Sequence, residues 1–587
     1  MKTIINKFIL IALCGILSIS CSDFLDKESP SYASDGFYTT EAGIRDGVTG
    51  IYSLLYINLN WDVPFPSVLD LYTPLGLENV QNTSIGAGGG LIPSNGTVST
   101  WWSSLYSLIA RANTVIYGSS KVIDSMNDET KQYIAEARLL RAYGYYHLIS
   151  TYGDVPFFTA PVTEDQYAVG RTSKVEILNF IINEMEDIAN YLPWTATQRG
   201  RVDKAVAYGL EARAGLLGGS LNYGNEGNKY FRIAADAANK VIGKRGLAEN
   251  FSDLFNLNGQ AKSDTRNELL WELMYSNSST KRIHRTGYGN SSRNYGSSVR
   301  YASLMLADTY ECIDGNRIDE SPLYDPKHPS QNRDPRFSVT LRTHGDEVEF
   351  YTTAGVNKLI LEAYSEETQR YSQASEWYTI TNQDVIGSGA GASFVNAGAG
   401  YLWYKYAHSV AEDISTQSTN ISLMRYAEIL LTYAEAKIEL GELDQSVYDA
   451  IDAVRNRAGM PGVSNDRKGD QDKMRQLARR ERKVELIMEG LHFIDIKRWG
   501  IGDIANGSPS YGAPLPTITY EGLEPADIPN FKTDARHDLN DIPSYDSFKH
   551  KLKVRDVNRY WKDKFALWPI PQDVIDKVPS LKQNDGY

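Results

Sequence analysis

Two kinds of residue in this chain are placed to do chemistry. The first is Cys21, which follows Ser20 at the end of an apolar run from Phe8 to Ile19 that opens behind Lys2 and Lys7. A basic end, an apolar stretch and a small residue before the cut make an export signal. A cysteine just after that cut can be acylated, and several acyl chains on one residue anchor stably where a single chain holds marginally. The apolar run falls short of the roughly 20 residues a spanning helix needs. Cys14 is the rival acceptor, but bulky Leu13 precedes it and the apolar run continues past it. The second kind is aromatic. Sugars present flat C–H faces that stack on rings, and their hydroxyls need polar partners, because a buried unpaired hydroxyl is costly. Tyrosine occurs 38 times and tryptophan ten times. Trp61 and Tyr72, then Tyr288, Arg293 and Tyr295 with Tyr301 nearby, and finally Trp377 beside Tyr378 sit in glycine- and serine-rich stretches. Trp61, Tyr72, Tyr288, Arg293, Tyr295 and Trp377 are therefore the candidate glycan-binding residues.

Catalytic patterns are not found. The eight histidines form no HExxH and show no zinc-ligand spacing. There is no GxSxG, and Gly86 to Gly90 lacks the lysine of a phosphate loop. Two carboxylates suffice for a glycosidase, but Asp308, Glu311, Asp314, Asp319 and Glu320 lie in a turn-like stretch where solvation is the expectation. Asp314 with its neighbouring acids is the one candidate for a structural calcium ion, although the spacing is not that of an EF-hand loop. No catalytic residue and no resident cofactor is expected. Beyond Cys21 the mature chain keeps only Cys312, expected to be a buried, inert thiol, so no internal disulfide staples the body. Losing Lys2 and Lys7 with the leader leaves 58 basic against 73 acidic residues, a net of −15. That charge argues against nucleic acid as a partner.

The elements that must carry these residues alternate between helices and loop-rich insertions. Residues 1–20 read as the leader and 21–40 as a tether, and 41–587 read as one domain. Helical spacing marks 41–58, 101–117, 129–151, 173–190, 202–217 and 228–243 in the first half. It returns at 421–440, 444–458 and 471–494. The scaffold is thus mainly 41–250 and 415–500, with insertions at 59–100, 251–410 and 505–560. Strand candidates are 269–275 and 348–352. Around Gly441, a helix, a tight turn and a second helix suggest a tetratricopeptide-like pair.

Motifs along the chain fall into one order. Cys21-Ser22-Asp23-Phe24-Leu25-Asp26 opens the mature protein, and Leu17-Ser18-Ile19-Ser20-Cys21 resembles a bacterial lipoprotein signal. Glu136-Ala137-Arg138-Leu139-Leu140-Arg141-Ala142 leads to Tyr152-Gly153-Asp154-Val155-Pro156. Asn332-Arg333-Asp334-Pro335-Arg336, Arg425-Tyr426-Ala427-Glu428 and Arg455-Asn456-Arg457-Ala458-Gly459 follow. Glu481-Arg482-Lys483-Val484-Glu485-Leu486 runs on to Asp495-Ile496-Lys497-Arg498-Trp499. Together they resemble the SusD/RagB family of outer-membrane nutrient-binding lipoproteins of Bacteroidetes, with His492 standing where an arginine is common. The resemblance implies a mostly α, SusD-like fold of tetratricopeptide-like helix pairs with a loop-rich ligand-binding region containing short strands. It implies a non-catalytic, lipid-anchored protein facing the cell exterior that hands a glycan to a SusC-like TonB-dependent transporter. A peptide cargo, or a surface glycoside hydrolase, stands as the alternative. Arg425 and Glu428 are expected to make internal pairs, and Trp499 and Trp568 to be core.

Overall fold

The computed structural model describes residues 36–587 apart from 61, 79–84, 87, 163–165, 167–168, 279–281, 288–299, 353–354, 365–367, 374–375, 383–398, 408–415, 508, 514–527, 529–530, 533–534, 553 and 557–558. Cys21, Trp61, Tyr288, Arg293 and Tyr295 lie outside the described residues.

The N-terminal helices are α1 (Glu41–Tyr52), α2 (Phe65–Leu71), α3 (Gly96–Ser119), α4 (Asp128–Tyr152), α5 (Lys174–Ile188), α6 (Lys204–Ser220) and α7 (Gly227–Val241). The C-terminal group is α8 (Tyr426–Glu439), α9 (Gln445–Arg457), α10 (Gln471–Leu486) and α11 (His492–Arg498). Local chemistry sets many of their starts. Asn95, Asn127, Ser173, Asp203, Asp444 and Asp470 each cap a helix by accepting from backbone N–H groups of its first turn. Neighbours in sequence pack as neighbours in space from α3 through α7, and α7 then packs on α8. The two halves thus share one hydrophobic core. The C-terminal strap returns to it: Trp568 N donates to Thr151 O at 2.7 Å, and Asn584 Nδ2 donates to Tyr152 O at 2.9 Å. No described helix is long and apolar enough to cross a membrane.

The strands are short: β1 (Gly76–Glu78), β2 (Leu269–Leu273), β3 (Arg300–Ala302), β4 (Glu347–Thr352), β5 (Gly355–Ile360), β6 (Thr368–Gln373), β7 (Glu376–Thr381) and β8 (Ile421–Arg425). β4 to β7 form an antiparallel meander with β7 at its edge, β1 pairs with β3, and β2 pairs with β8.

Three expectations change. Residues 421–440 are not one helix, because Ile421–Arg425 is a fully buried strand on β2 and α8 starts only at Tyr426. The insertion 59–100 is not irregular throughout, because α2 inside it is buried along its whole length. The helix expected over 471–494 breaks after Leu486, where Met488 and Gly490 take φ of +67° and +79°. A Cβ at Gly490 would stand 3.0 Å from Pro66 Cα, so α2 approaches the break as closely as glycine permits. Asp70 then collects the freed donors: its carboxylate accepts from the backbone N–H groups of Glu489, Gly490 and Phe493 at 3.0–3.3 Å.

From Arg479 to Glu485 the acids and bases of α10 are buried, and they organise the centre. Arg425, at the end of β8, is fully buried and donates to Glu268 at 2.6 Å, Glu485 at 2.8 Å and Glu489 at 2.8 Å. Glu485 also holds Arg336 at 3.0 Å and pairs with Arg457. Arg455 joins Glu311 at 2.9 Å and pairs with Glu481, while Arg480 bridges Glu311 and Asp541. Beside this network Arg213 pairs with Glu428, and Arg498 holds Glu435 and Asp495. Arg425 and Glu428 are thus internal pairs, and Trp568 is core. Trp499 is only partly buried and donates its Nε1–H to Glu435 at 2.7 Å.

Removing one partner of a buried pair strands the others in a medium that stabilises charge poorly. Arg425→Met is expected to lower the unfolding free energy by about 3–5 kcal/mol or more in a urea titration; a change under about 1 kcal/mol would show that these pairs are solvated. A second prediction concerns pH. Burial pushes His492 down to about 3, whereas an unfolded histidine titrates near 6.5. The unfolded chain therefore gains this proton first. The stability tied to neutral His492 is present above about pH 6.5 and is lost as pH falls toward 3. Between pH 6 and 4.5, His492→Gln should flatten the decline of unfolding free energy by up to about 1.4 kcal/mol per pH unit. Parallel pH profiles for wild type and variant would refute a neutral, buried His492.

Candidate functional site: the aromatic loop region

The candidate aromatic residues are carried on segments that the fold ties together. Asp62, next to Trp61, sits in the left-handed region at φ +58° after the short strand Asn58–Asn60. Its carbonyl accepts from Arg285 N at 3.0 Å, and its carboxylate stands 3.7 Å from Arg285 Nε. Arg285 therefore has an acidic partner here.

The segment leading toward Tyr288 is locked by His284. Its backbone exchanges hydrogen bonds with Gln417 at 2.9 and 3.1 Å, and its Nε2 lies 2.9 Å from Thr419 O. Burial pushes His284 down to about 4, so the ring is neutral. A carbonyl only accepts, which assigns the proton to Nε2 and leaves Nδ1 to accept from the Thr286 hydroxyl at 3.0 Å. Gly287 N donates to Gln417 Oε1 at 2.8 Å. On the far side of the same insertion, β3 pairs with β1 in the register Gly76↔Ala302, Leu77↔Tyr301 and Glu78↔Arg300. Sequence-distant parts of the insertions 59–100 and 251–410 are thus joined at two places.

The meander shares this foundation. Leu77 and Tyr301 belong to the same small hydrophobic cluster as Val348 and Leu359, with Tyr371 packed against it. At the outer edge, β7 exposes Trp377 (38%) and Tyr378 (42%). Cross-strand register explains how each is held. Trp377 faces Ser372, so Arg370 is its diagonal neighbour on the same side of the sheet, and its guanidinium lies 4.9 Å from the indole centroid. Tyr378 faces Tyr371, with ring centroids 6.1 Å apart, and donates its hydroxyl to Gln373 O at 3.1 Å. This edge can offer a flat ring beside a guanidinium donor, a pairing suited to a sugar's face and its hydroxyls.

The other described candidates behave differently. Tyr72 is not exposed: it ends α2, is 6% exposed and packs against Trp568 at 6.2 Å. Tyr301 is likewise core, at 1%. Among the acids, Glu311 is buried in the ion network and Asp308 is buried near the Tyr545 hydroxyl at 3.2 Å, which corrects the expectation of solvation for both. Asp314 accepts from Ser321, while Asp319 and Glu320 pair with Arg317. Among the described residues no group of three or more His, Cys, Asp or Glu side chains could hold a metal ion. Cys312 is buried, and burial pushes its thiol up, as expected of an inert sulfur. Arg370 escaped the sequence reading, because its place beside Trp377 depends on hairpin register.

Comparison with known proteins fits this architecture. The SusD family profile matches residues 267–587, and a second profile, described as starch-binding associating with outer membrane, matches residues 23–216. The chain is 26% identical over 542 residues to a SusD-like protein of Formosa agariphila, covering 89% of this chain and 92% of that protein. A SusD-like carbohydrate binding protein from Bacteroides fragilis has a similar fold, with TM-score 0.73 at 23% identity over 93% of this chain and 100% of that one. Surface glycan-binding protein A from Bacteroides fluxus aligns at TM-score 0.60 and 19% identity, covering 94% and 100%. This chain belongs to the SusD family, a family of outer-membrane-associated binding proteins, and it is not an enzyme.

Proposed function

We propose that this protein is a cell-surface glycan-binding lipoprotein that captures oligosaccharides or polysaccharides and delivers them to a SusC-like TonB-dependent transporter. The observation that carries the glycan reading is the exposed edge of β7, where Trp377 stands beside Arg370 on a chain of this family. The names of its relatives, a carbohydrate binding protein and a surface glycan-binding protein, agree with it. Trp61, Tyr288, Arg293 and Tyr295 complete the binding set from the loops that Asp62, His284 and the β1–β3 ladder anchor.

The anchor follows from Cys21. Acylated there, the body is held outside the outer membrane by the tether of 21–40. The tetratricopeptide-like helix pairs meet the transporter, and the loop region meets the glycan. Tethering turns capture and delivery into an effectively intramolecular event, so a modest affinity suffices at the barrel mouth.

Two predictions test this reading. In affinity gels cast with a panel of soluble polysaccharides, at least one glycan should retard the protein without release of new reducing ends. Trp377→Ala should weaken that retention about tenfold, a loss of roughly 1.4 kcal/mol. The same variant should change stability by no more than about 0.5 kcal/mol, because the ring sits on an exposed edge. No retardation across the panel would sink the glycan reading. Cys21→Ala should leave glycan affinity intact and impair uptake by cells; equal uptake by the unanchored variant would overturn the role given to the tether.

A further inference from the structure

The outer face of the meander keeps its charges apart. Directly opposed residues share a side of a sheet. The register therefore puts Thr368, Arg370 and Ser372 of β6 on one side with Thr381, Thr379 and Trp377 of β7. The other side carries Val348, Leu359 and Tyr371, which pack into or against the small hydrophobic cluster. The Trp377 side thus faces away from that core. Further across it, Lys358 of β5 stands opposite both Ser372 of β6 and Glu349 of β4. Its Nζ is held by Glu347 at 2.7 Å and Glu349 at 2.8 Å. The acids of this face are gathered on its β4 side, around a lysine. The half built from β6 and β7 has one indole, one guanidinium, hydroxyls and no acid.

Arg370 is exposed, and among the described residues its guanidinium makes no ion pair and no hydrogen bond. The chain carries 73 acidic against 60 basic residues, yet no described carboxylate reaches it. Its contact is the indole of Trp377, 4.9 Å from the ring centroid. A ring face attracts a cation but takes none of its N–H bonds, so the donors of the fork stay open to solvent or to a ligand. At 4.9 Å the guanidinium lies beyond the roughly 3.5–4.0 Å of closest carbon contact. It therefore does not cap the indole, which keeps 38% of its surface exposed. Thr379, directly opposite Arg370, is exposed as well.

We propose that this half-face selects acidic sugars, and that Arg370 selects them by pairing with the carboxylate of a uronic acid. The inference rests on the glycan reading and names the class of cargo within it. An equatorial carboxylate projects close to the mean plane of a pyranose ring. A sugar lying on the open part of the indole, beside the guanidinium, turns its two carboxylate oxygens edge-on to the N–H fork. In that geometry arginine and carboxylate form two parallel, charge-assisted hydrogen bonds. The Thr379 hydroxyl is placed to donate to or accept from a sugar hydroxyl. The approach over β6 and β7 meets no acid on this face, because Glu347 and Glu349 are drawn to Lys358 on the far strands. A neutral sugar takes the ring and leaves the guanidinium without a partner. The positive charge is thus the specificity element and the indole the common platform.

The test uses the full mature chain in affinity gels cast with polygalacturonate, polymannuronate or hyaluronan. Each is run beside its carboxyl-reduced form, in which the carboxylates have become hydroxymethyl groups and the linkages are unchanged. Dextran sulfate serves as a further polyanion. At least one uronate polymer should be retained about tenfold more tightly than its reduced form. Arg370→Gln should bring that ratio to about one. Arg370→Lys keeps the charge without the fork and should restore only part of the ratio. A ratio near one in wild type, or the same ratio in wild type and R370Q, overturns the inference and leaves the glycan reading standing. Retention of dextran sulfate with no retention of any uronate overturns the carboxylate as the recognised group. Failure to bind any polymer, charged or neutral, overturns the glycan reading and this inference with it.

Discussion

The structure depends on keeping its buried charges paired. Glu485 illustrates the constraint: fully buried, it faces Arg336, Arg425 and Arg457, whose positive charge holds its carboxyl well below the usual carboxylate range against the opposing cost of burial. Those partners come from an element after a loop, the end of β8 and the end of α9. None can be misplaced without leaving a charge in a medium that tolerates it poorly. The network is therefore better understood as a specification of arrangement than as a sum of favourable contacts. Hydrophobic burial is non-directional and accepts many packings; a guanidinium with several fixed carboxylate neighbours accepts few. β2, β8, α8, α9 and α10 are brought to one point, and the helices of the N-terminal half pack on that point through the Arg213–Glu428 pair and the contact of α7 with α8.

A centre held this firmly lets the periphery be built for recognition. The break between α10 and α11 shows how the two are joined. Asp70, on α2, enters the break and takes three backbone donors, so the loop insertion that carries α2 is fastened at the edge of the ion network. Burial raises Asp70 to about 7, while the three N–H donors favour its charged form. From α2 the chain continues into β1, and β1 holds β3 at the end of the second insertion. The cluster beneath that ladder supports the meander whose outer edge shows Trp377. A path of ordinary hydrogen bonds and packing thus runs from the buried arginines to an exposed ring, and each step fixes the next.

What could be read from the sequence follows from how local each signal is. The helices at 128–152, 174–188, 204–220 and 445–457 were legible within a residue or three, because spacing and caps such as Ser173, Asp203 and Asp444 act within one turn. The end of α10 was not, because the residue that stabilises the break, Asp70, lies more than 400 positions away. β8 resembled the start of a helix because a strand buried on both faces has no alternation to show. Tyr72 looked exposed because its neighbourhood is rich in glycine and proline, yet Phe65, Val68, Leu69 and Leu71 around Pro66 already spelled a short apolar helix. The run Arg479 to Arg482 concealed the most. Charge in a sequence is the signature of solvent, and only the assembled fold shows all four residues buried. Of the two candidate ligand residues that the structure describes, Tyr72 and Trp377, the second is the exposed ring, and Arg370 beside it needed the hairpin register.

The same distinction separates what the family motifs report from what they leave to the loops. Arg336, Arg425, Arg455, Arg457, Glu481 and Glu485 carry the resemblance to relatives, and they carry the ion network. Every one of them is removed from solvent, so none can meet a cargo. Their agreement with a family pattern therefore speaks for the platform, while under the function proposed above the choice of ligand falls to residues such as Trp377 that lie outside the motifs.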